Sequence, residues 1–249
     1  MELLYRERER ESEIAVYDTN ELYGEKGCFR ILQFSNGDVQ GAMDLENPSR
    51  IVLEYPRAIV HLMEQNNLSF ERAFVIGHGI GTVSGHFADR SVKTAEISAA
   101  IVKLSRNYFG YVGADVEIGD GRDSLERESD GLLDYIVLDA FTEKGTPWHL
   151  FTRECFLTAH RKLDEQGVLL LNVFGQGRRD AKTEAIYATL ADVFPHVRAF
   201  GLRQEDPRDP MNRILVGGKR PIEAKIRKMA GFEESEPEYG TVLEDSMFG

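Results

Sequence analysis

The sequence predicts an α/β protein built on a doubly wound, mostly parallel sheet, with a small antiparallel β appendage before it. Three observations predict this. From Phe70 onward, short apolar runs alternate with stretches of helical periodicity. Those runs are apolar on both faces, as strands covered by helices on each side must be. Before Pro48 the apolar runs are instead separated only by turns.

The appendage comes first. Ile14–Tyr17 is one strand run, and Phe29–Phe34 alternates as a second. Ser35-Asn36-Gly37-Asp38 reads as a hairpin turn, with Val39-Gln40 starting the return strand. Met1 to Glu13 is charged and has no apolar centre, so no secretory leader is expected there. Pro48 and Ser49 then precede an amphipathic helix near Ile51 to Asn66, which Pro56 is expected to break or restart.

The strands of the parallel sheet are expected at Ala73–Ile76, Val92–Ala95, Val116–Ile118, Tyr135–Leu138 and Val168–Leu171. Helices are expected near Ile97–Phe109, Thr152–Leu163 and Lys182–Phe194, and further strands near Val197–Gly201 and Arg213–Val216. From Phe232 the chain carries six acids and no Lys or Arg, which predicts a solvated or mobile tail. The expected organisation is an N-terminal β-hairpin domain over 1–47, a ligand-binding domain over 48–231 and an acidic tail over 232–249.

Composition narrows the function classes. The 249 residues suffice for one core, and 42% hydrophobic with 29% charged residues argues against disorder. Thirty Lys and Arg against 42 Asp and Glu give a formal charge of -12. That charge argues against a nucleic-acid partner and suits a cationic substrate such as an amine. Cys28 and Cys155 lie far apart, which fits a reducing, cytoplasmic setting. Six histidines show no metal-ligand spacing, so no metal is expected. No apolar run reaches the roughly 20 residues that a membrane helix needs.

The chemistry-bearing residues fall at strand ends. Gly77-His78-Gly79-Ile80-Gly81 follows the first strand of the parallel sheet. Ligands of such sheets bind beyond the carboxyl ends of the strands, where glycines admit close backbone approach. Glu96 ends the second strand and is suited to accept ribose hydroxyls, with Ile97 beside it. Asp120-Gly121 follows the third strand. Its carboxylate is placed either to accept an adenine amine or to form a local turn. Asp139-Ala140 ends the fourth strand, where Asp139 would stabilise a sulfonium or orient an amine. A glycine loop and three acids at four successive strand tips together describe a site for adenosine plus a sulfonium. His78 and His149 are further candidates for contact with cofactor and substrate.

These residues resemble the spermidine synthase family of aminopropyltransferases, which use a methyltransferase-like Rossmann fold. The resemblance runs from about Glu13 to Val173. It includes Gly37-Asp38-Val39-Gln40, Tyr55, Val75 to Gly79, Glu96-Ile97, Gly119 to Arg122, Asp139, Leu150 to Glu154 and Gly167 to Leu169. It implies a soluble homodimer that binds S-adenosylmethionine or its decarboxylated form. It also implies that Gln40 hydrogen-bonds the cofactor and that Tyr55 assists Asp139 at the substrate amine.

The sequence departs from the family in three places. Ile80 stands where the family's glycine loop carries an Asp that pairs with the aminopropyl amine. The family's Asp-Ser-Thr-Asp-Pro loop reads Asp139-Ala140-Phe141-Thr142-Glu143, so only the first acid is in register, with Glu143 displaced by one residue. The family's Gly-x-Trp segment is not visible, and Trp148 is the only Trp. One opposite-charge pair near 4 Å is worth about 4 kcal/mol at an effective dielectric of about 20. Losing the Asp therefore disfavours the cationic, decarboxylated cofactor and favours the intact one. Charge alone thus ranks methyl transfer to an amine or other small nucleophile above aminopropyl transfer. A non-catalytic nucleoside-binding module and a nicotinamide oxidoreductase are the remaining alternatives.

Overall fold

The computed structural model describes residues 1–9, 12–34, 37–141, 147–177, 179–204, 206, 208–238 and 240–248. The expected turn residues Ser35 and Asn36, and the loop residues Thr142 and Glu143, lie outside the described residues.

The appendage is a four-stranded antiparallel sheet. Its strands are β1 (Glu2–Glu9), β2 (Ser12–Leu22), β3 (Glu25–Phe34) and β4 (Val39–Asp44), paired in sequence order. β1 was not anticipated, because its alternating Arg and Glu hide the apolar positions. Leu4 and Tyr5 nevertheless pack onto the cluster of Ile14, Val16 and Leu32.

Helix α1 (Glu54–Asn66) links the two sheets. Pro56 lies in its first turn and neither breaks nor restarts it. The N–H that proline lacks has no intrahelical partner at that position in any helix.

The second sheet has eight strands in the order β12-β10-β11-β9-β8-β5-β6-β7. β5 (Arg72–Ile76), β6 (Ser91–Glu96), β7 (Val116–Ile118), β8 (Leu133–Leu138) and β9 (Leu163–Gln176) run parallel. β10 (His196–Leu202), β11 (Pro210–Gly218) and β12 (Phe232–Ser235) add an antiparallel half. Side chains along β5 alternate between two cores, as the pleat requires. Ala73 and Val75 pack against α1, whereas Phe74 and Ile76 face the opposite core with Phe151 and Phe156. The remaining helices are α2 (Thr82–His86), α3 (Ala99–Phe109), α4 (Gly121–Glu126), α5 (Arg153–Lys162) and α6 (Ala181–Val193). None is long and apolar enough to cross a membrane.

The acidic tail departs from expectation. Phe232–Ser235 forms β12 on the edge strand β10, and Leu243 is buried in the core beside Phe156 and Leu190. Composition favoured solvation, but two well-placed apolar side chains pin the segment at both ends.

Candidate functional site

The order of the sheet reverses direction at β5, whose neighbours are β6 on one side and β8 on the other. Such a switch point opens a crevice at the strand ends. Backbone hydrogen bonds hold the tips in register there: Gly77 N–H donates to Ala95, Gly119 N–H to Glu96 and Asp139 N–H to Ile76. Gly77 has a φ of 94°, and a Cβ on it would lie 2.1 Å from the carbonyl oxygen of Asp139. Only glycine lets the tips of β5 and β8 come this close.

The crevice is a cleft of about 990 Å³, open to solvent. Gln40, Tyr55, Gly77, Gly79, Glu96, Ile97, Asp120, Gly121, Asp139 and Ala140, all expected from the sequence, line it together. Gly81 is the exception. It faces a separate cavity behind the loop, and its left-handed backbone starts α2.

Glu96 is buried, and its two oxygens clamp the loop from below. One accepts from His78 N–H at 2.8 Å and the other from Ser98 N–H at 2.9 Å. Ile97 beside it remains 53% exposed, an apolar surface inside the cleft. The His78 ring is also buried. Its Nε2 lies 2.8 Å from Ser105 Oγ, and its edge meets Tyr111. Ser105 donates its own proton to Val102 O, so His78 Nε2 must donate to Ser105. Burial, helped by Arg106, pushes the imidazole down to about 4, so it is neutral at physiological pH.

Asp120 does two things at once. One oxygen caps α4, accepting from Arg122 N–H at 2.8 Å and Asp123 N–H at 3.2 Å. The other lies 2.8 Å from Nε2 of His149. The local-turn reading of this Asp is therefore seen, and its second oxygen pairs with His149 at the cleft wall. Burial alone would raise its pKa, but the cap hydrogen bonds and His149 hold it below the usual carboxylate range.

Asp139 is half-buried at the tip of β8. Asn172 Nδ2 donates to it at 2.8 Å, and the Tyr55 hydroxyl, brought in by α1, donates as well. Burial, reinforced by the charge of Glu96, outweighs both hydrogen bonds and pushes it up to about 6. Burial and the adjacent Asp139 charge likewise raise Tyr55 well above the usual phenol range. Sequence reasoning missed Asn172, although an amide closing the run Val168-Leu169-Leu170-Leu171 was a visible signal.

Ile80 lines the cleft and also packs on the N-terminal sheet. A Cβ on Gly41 of β4 would lie 2.6 Å from Ile80 Cγ2, and Ile80 packs with the cluster of Val16, Leu32 and Phe34. Among the described residues, the cleft wall carries Glu96, Asp120, Asp139, His78 and His149 but no Lys or Arg. No group of metal-ligating side chains occurs among the described residues.

No family model matches the chain. A polyamine aminopropyltransferase of Vibrio vulnificus is 27% identical over 203 residues, which span 76% of this chain and 64% of that relative's length. An N-terminal histidine N-methyltransferase of Emericella nidulans is 32% identical over 135 residues, 51% of this chain but only 24% of that enzyme. Among solved structures, a probable spermidine synthase from Corynebacterium glutamicum aligns over 94% of this chain and 90% of its own, with a TM-score of 0.78 at 22% identity. Human methyltransferase-like protein 13 in complex with SAH aligns over 71% of this chain and 86% of its own, with a TM-score of 0.54 at 20% identity. Sheet order and strand-tip cleft thus place the chain in the class of methyltransferase-like α/β folds. Within that class it is spermidine synthase-like.

Proposed function

We propose that the chain is a transferase that binds decarboxylated S-adenosylmethionine and moves its aminopropyl group to a small amine. The observation that carries this reading is the charge of the cleft: three carboxylates, and no Lys or Arg among its described lining residues. A cofactor ending in a free amino-acid carboxylate would find no side-chain cation there, whereas one ending in an ammonium enters a cleft whose charged side chains are carboxylates. This reverses the ranking drawn from Ile80 alone. With the Ile80 side chain packed on Gly41, the loss of an acid from the loop leaves Asp139 in place as an anion. Aminopropyltransferases also predominate among the relatives.

The donor set fits such a cofactor. Glu96 and Ile97 would hold ribose and base, and Asp120 and Gly121 the far edge of the base. Gln40 and the Gly77–Gly79 backbone would face the sulfonium end. The bound sulfonium supplies an activated carbon and a neutral thioether leaving group. The protein supplies position and charge. Asp139 orients the incoming amine and accepts a proton from its ammonium form, and Tyr55 and Asn172 fix the carboxylate while it does so. A pKa near 6 leaves the base ionised at neutral pH yet close enough to it to exchange protons.

Methyl transfer from the intact cofactor is the second reading, favoured by the apolar Ile80 and by the methyltransferase among the relatives. Calorimetric titration with both cofactors, followed by mass spectrometry of products from a set of di- and triamines, separates the two. At least tenfold tighter binding of the decarboxylated form, a difference of about 1.4 kcal/mol, together with aminopropylated product, is expected. Equal or tighter binding of the intact form with a methylated product overturns the proposal.

A further inference from the structure

The wall at the Asp120 end of the cleft is braced by the core through Leu150 and by a later segment of the chain. Pro147, His149 and Leu150 line it, and Trp148–Leu150 form a single 3-10 turn. That turn is held from behind by the C-terminal segment. Arg122 is the link. Its backbone N–H donates to Asp120, while its guanidinium donates to the His149 carbonyl at 3.0 Å and to Thr152 Oγ1 at 3.4 Å. The same guanidinium makes a bidentate pair with Asp245, at 2.7 and 2.6 Å. Bidentate Arg–carboxylate pairs fix geometry as well as charge.

Asp245 is itself anchored. Its N–H donates to Glu154 at 3.0 Å. Two residues earlier, the Leu243 carbonyl accepts from Arg153 N–H at 2.8 Å, and Leu243 N–H donates to Thr189 at 2.9 Å. Three residues later, Phe248 stacks on Trp148 with centroids 5.4 Å apart and planes 6° from parallel. The segment therefore grips both sides of His149, the residue whose Nε2 meets Asp120.

We propose that the segment from Leu243 to Phe248 is a strap that sets the nucleoside affinity of the cleft, acting through Arg122 to seat His149 beside Asp120 at the edge of the base. Asp245 and Arg122 are positioning residues in this arrangement, and His149 is the residue that meets the ligand. The proposal rests on the nucleoside-binding reading of the cleft.

The test is a double-mutant cycle on the full chain with D245N, H149A and the double variant. Binding of methylthioadenosine, which carries the nucleoside but no reactive tail, is measured by calorimetry. Each single substitution is expected to weaken binding about tenfold, and the pair together about as much as one alone, because both remove the same contact. In D245N the cofactor KM rises while kcat at saturating cofactor stays unchanged, a split that general destabilisation does not produce. R122K serves as a second probe. It keeps the charge but loses the fork, and it is expected to match D245N. Unchanged binding in D245N and R122K overturns the strap, as does a full tenfold loss from D245N in the H149A background. If the wild type binds no methylthioadenosine, the nucleoside reading fails and the strap falls with it.

Discussion

At the residue scale, Asp139 and His78 carry opposite costs. With its pKa raised to about 6, Asp139 favours the folded state most at low pH, where it is protonated. That contribution is lost as pH rises from about 4, where the unfolded chain ionises, through 6. Above pH 6 the ionised carboxylate costs up to about 3 kcal/mol. Asp139→Asn is therefore expected to raise stability at pH 7, by about 1–3 kcal/mol in urea unfolding, while lowering turnover by about 100-fold or more. The wild-type rate should climb with pH through an apparent pKa near 6, and the variant should lose that limb. His78 works in the other direction. Its pKa is lowered to about 4, so its stabilising effect is complete above about 6.5 and is lost as pH falls toward 4. His78→Gln should flatten the acid limb of a stability-versus-pH curve by up to about 3 kcal/mol. An unaltered acid limb would remove His78 as its source.

At the scale of elements, the strand tips are where sequence and structure agree best. Asp139 was legible because an apolar run stops at it, and Glu96 and Asp120 because they follow successive strands of an alternating strand–helix pattern. Partners supplied from other elements were not legible. Arg122 and Asp245 stand 123 residues apart, and nothing in local periodicity connects them. Asp120 shows how one element is shared by structure and site. Asp120→Asn keeps a side-chain oxygen for the α4 cap, whereas Asp120→Ala removes it. The Ala variant should unfold about 1 kcal/mol more easily than the Asn variant in chemical denaturation. Both should weaken nucleoside binding, because both discharge the oxygen facing His149.

At the scale of the molecule, the two sheets meet through Ile80 and Gly41 as well as through α1. Restoring an acid here, Ile80→Asp, would press a carboxylate against the apolar cluster of Phe34 and Leu32. The expected cost is about 1–3 kcal/mol, read as a lower melting temperature. A variant that melts with the wild type would show that Ile80 does not seal the two sheets together. Charge acts over the same scale. With a formal charge of -12 and an acidic cleft, the KM for a cationic amine should rise about two- to fivefold between low and high salt, since the Debye length shrinks to about 3 Å at 1 M. The sign of this effect was legible in the composition. The closure of the sheets was not, because it depends on a glycine in one unit meeting a branched side chain in the other.

The outermost strand has a consequence of its own. β12 pairs along β10 from Ala199 to Leu202 and occupies what would otherwise be a bare hydrogen-bonding edge. Proteolytic nicking at the preceding turn, where Ala230 and Gly231 both hold positive φ, would free that edge and at the same time cut the covalent link to the strap from Leu243 to Phe248. A bare edge of this kind is a template for another chain. The nicked protein would then begin to self-associate, and light scattering would rise together with a decline in nucleoside binding.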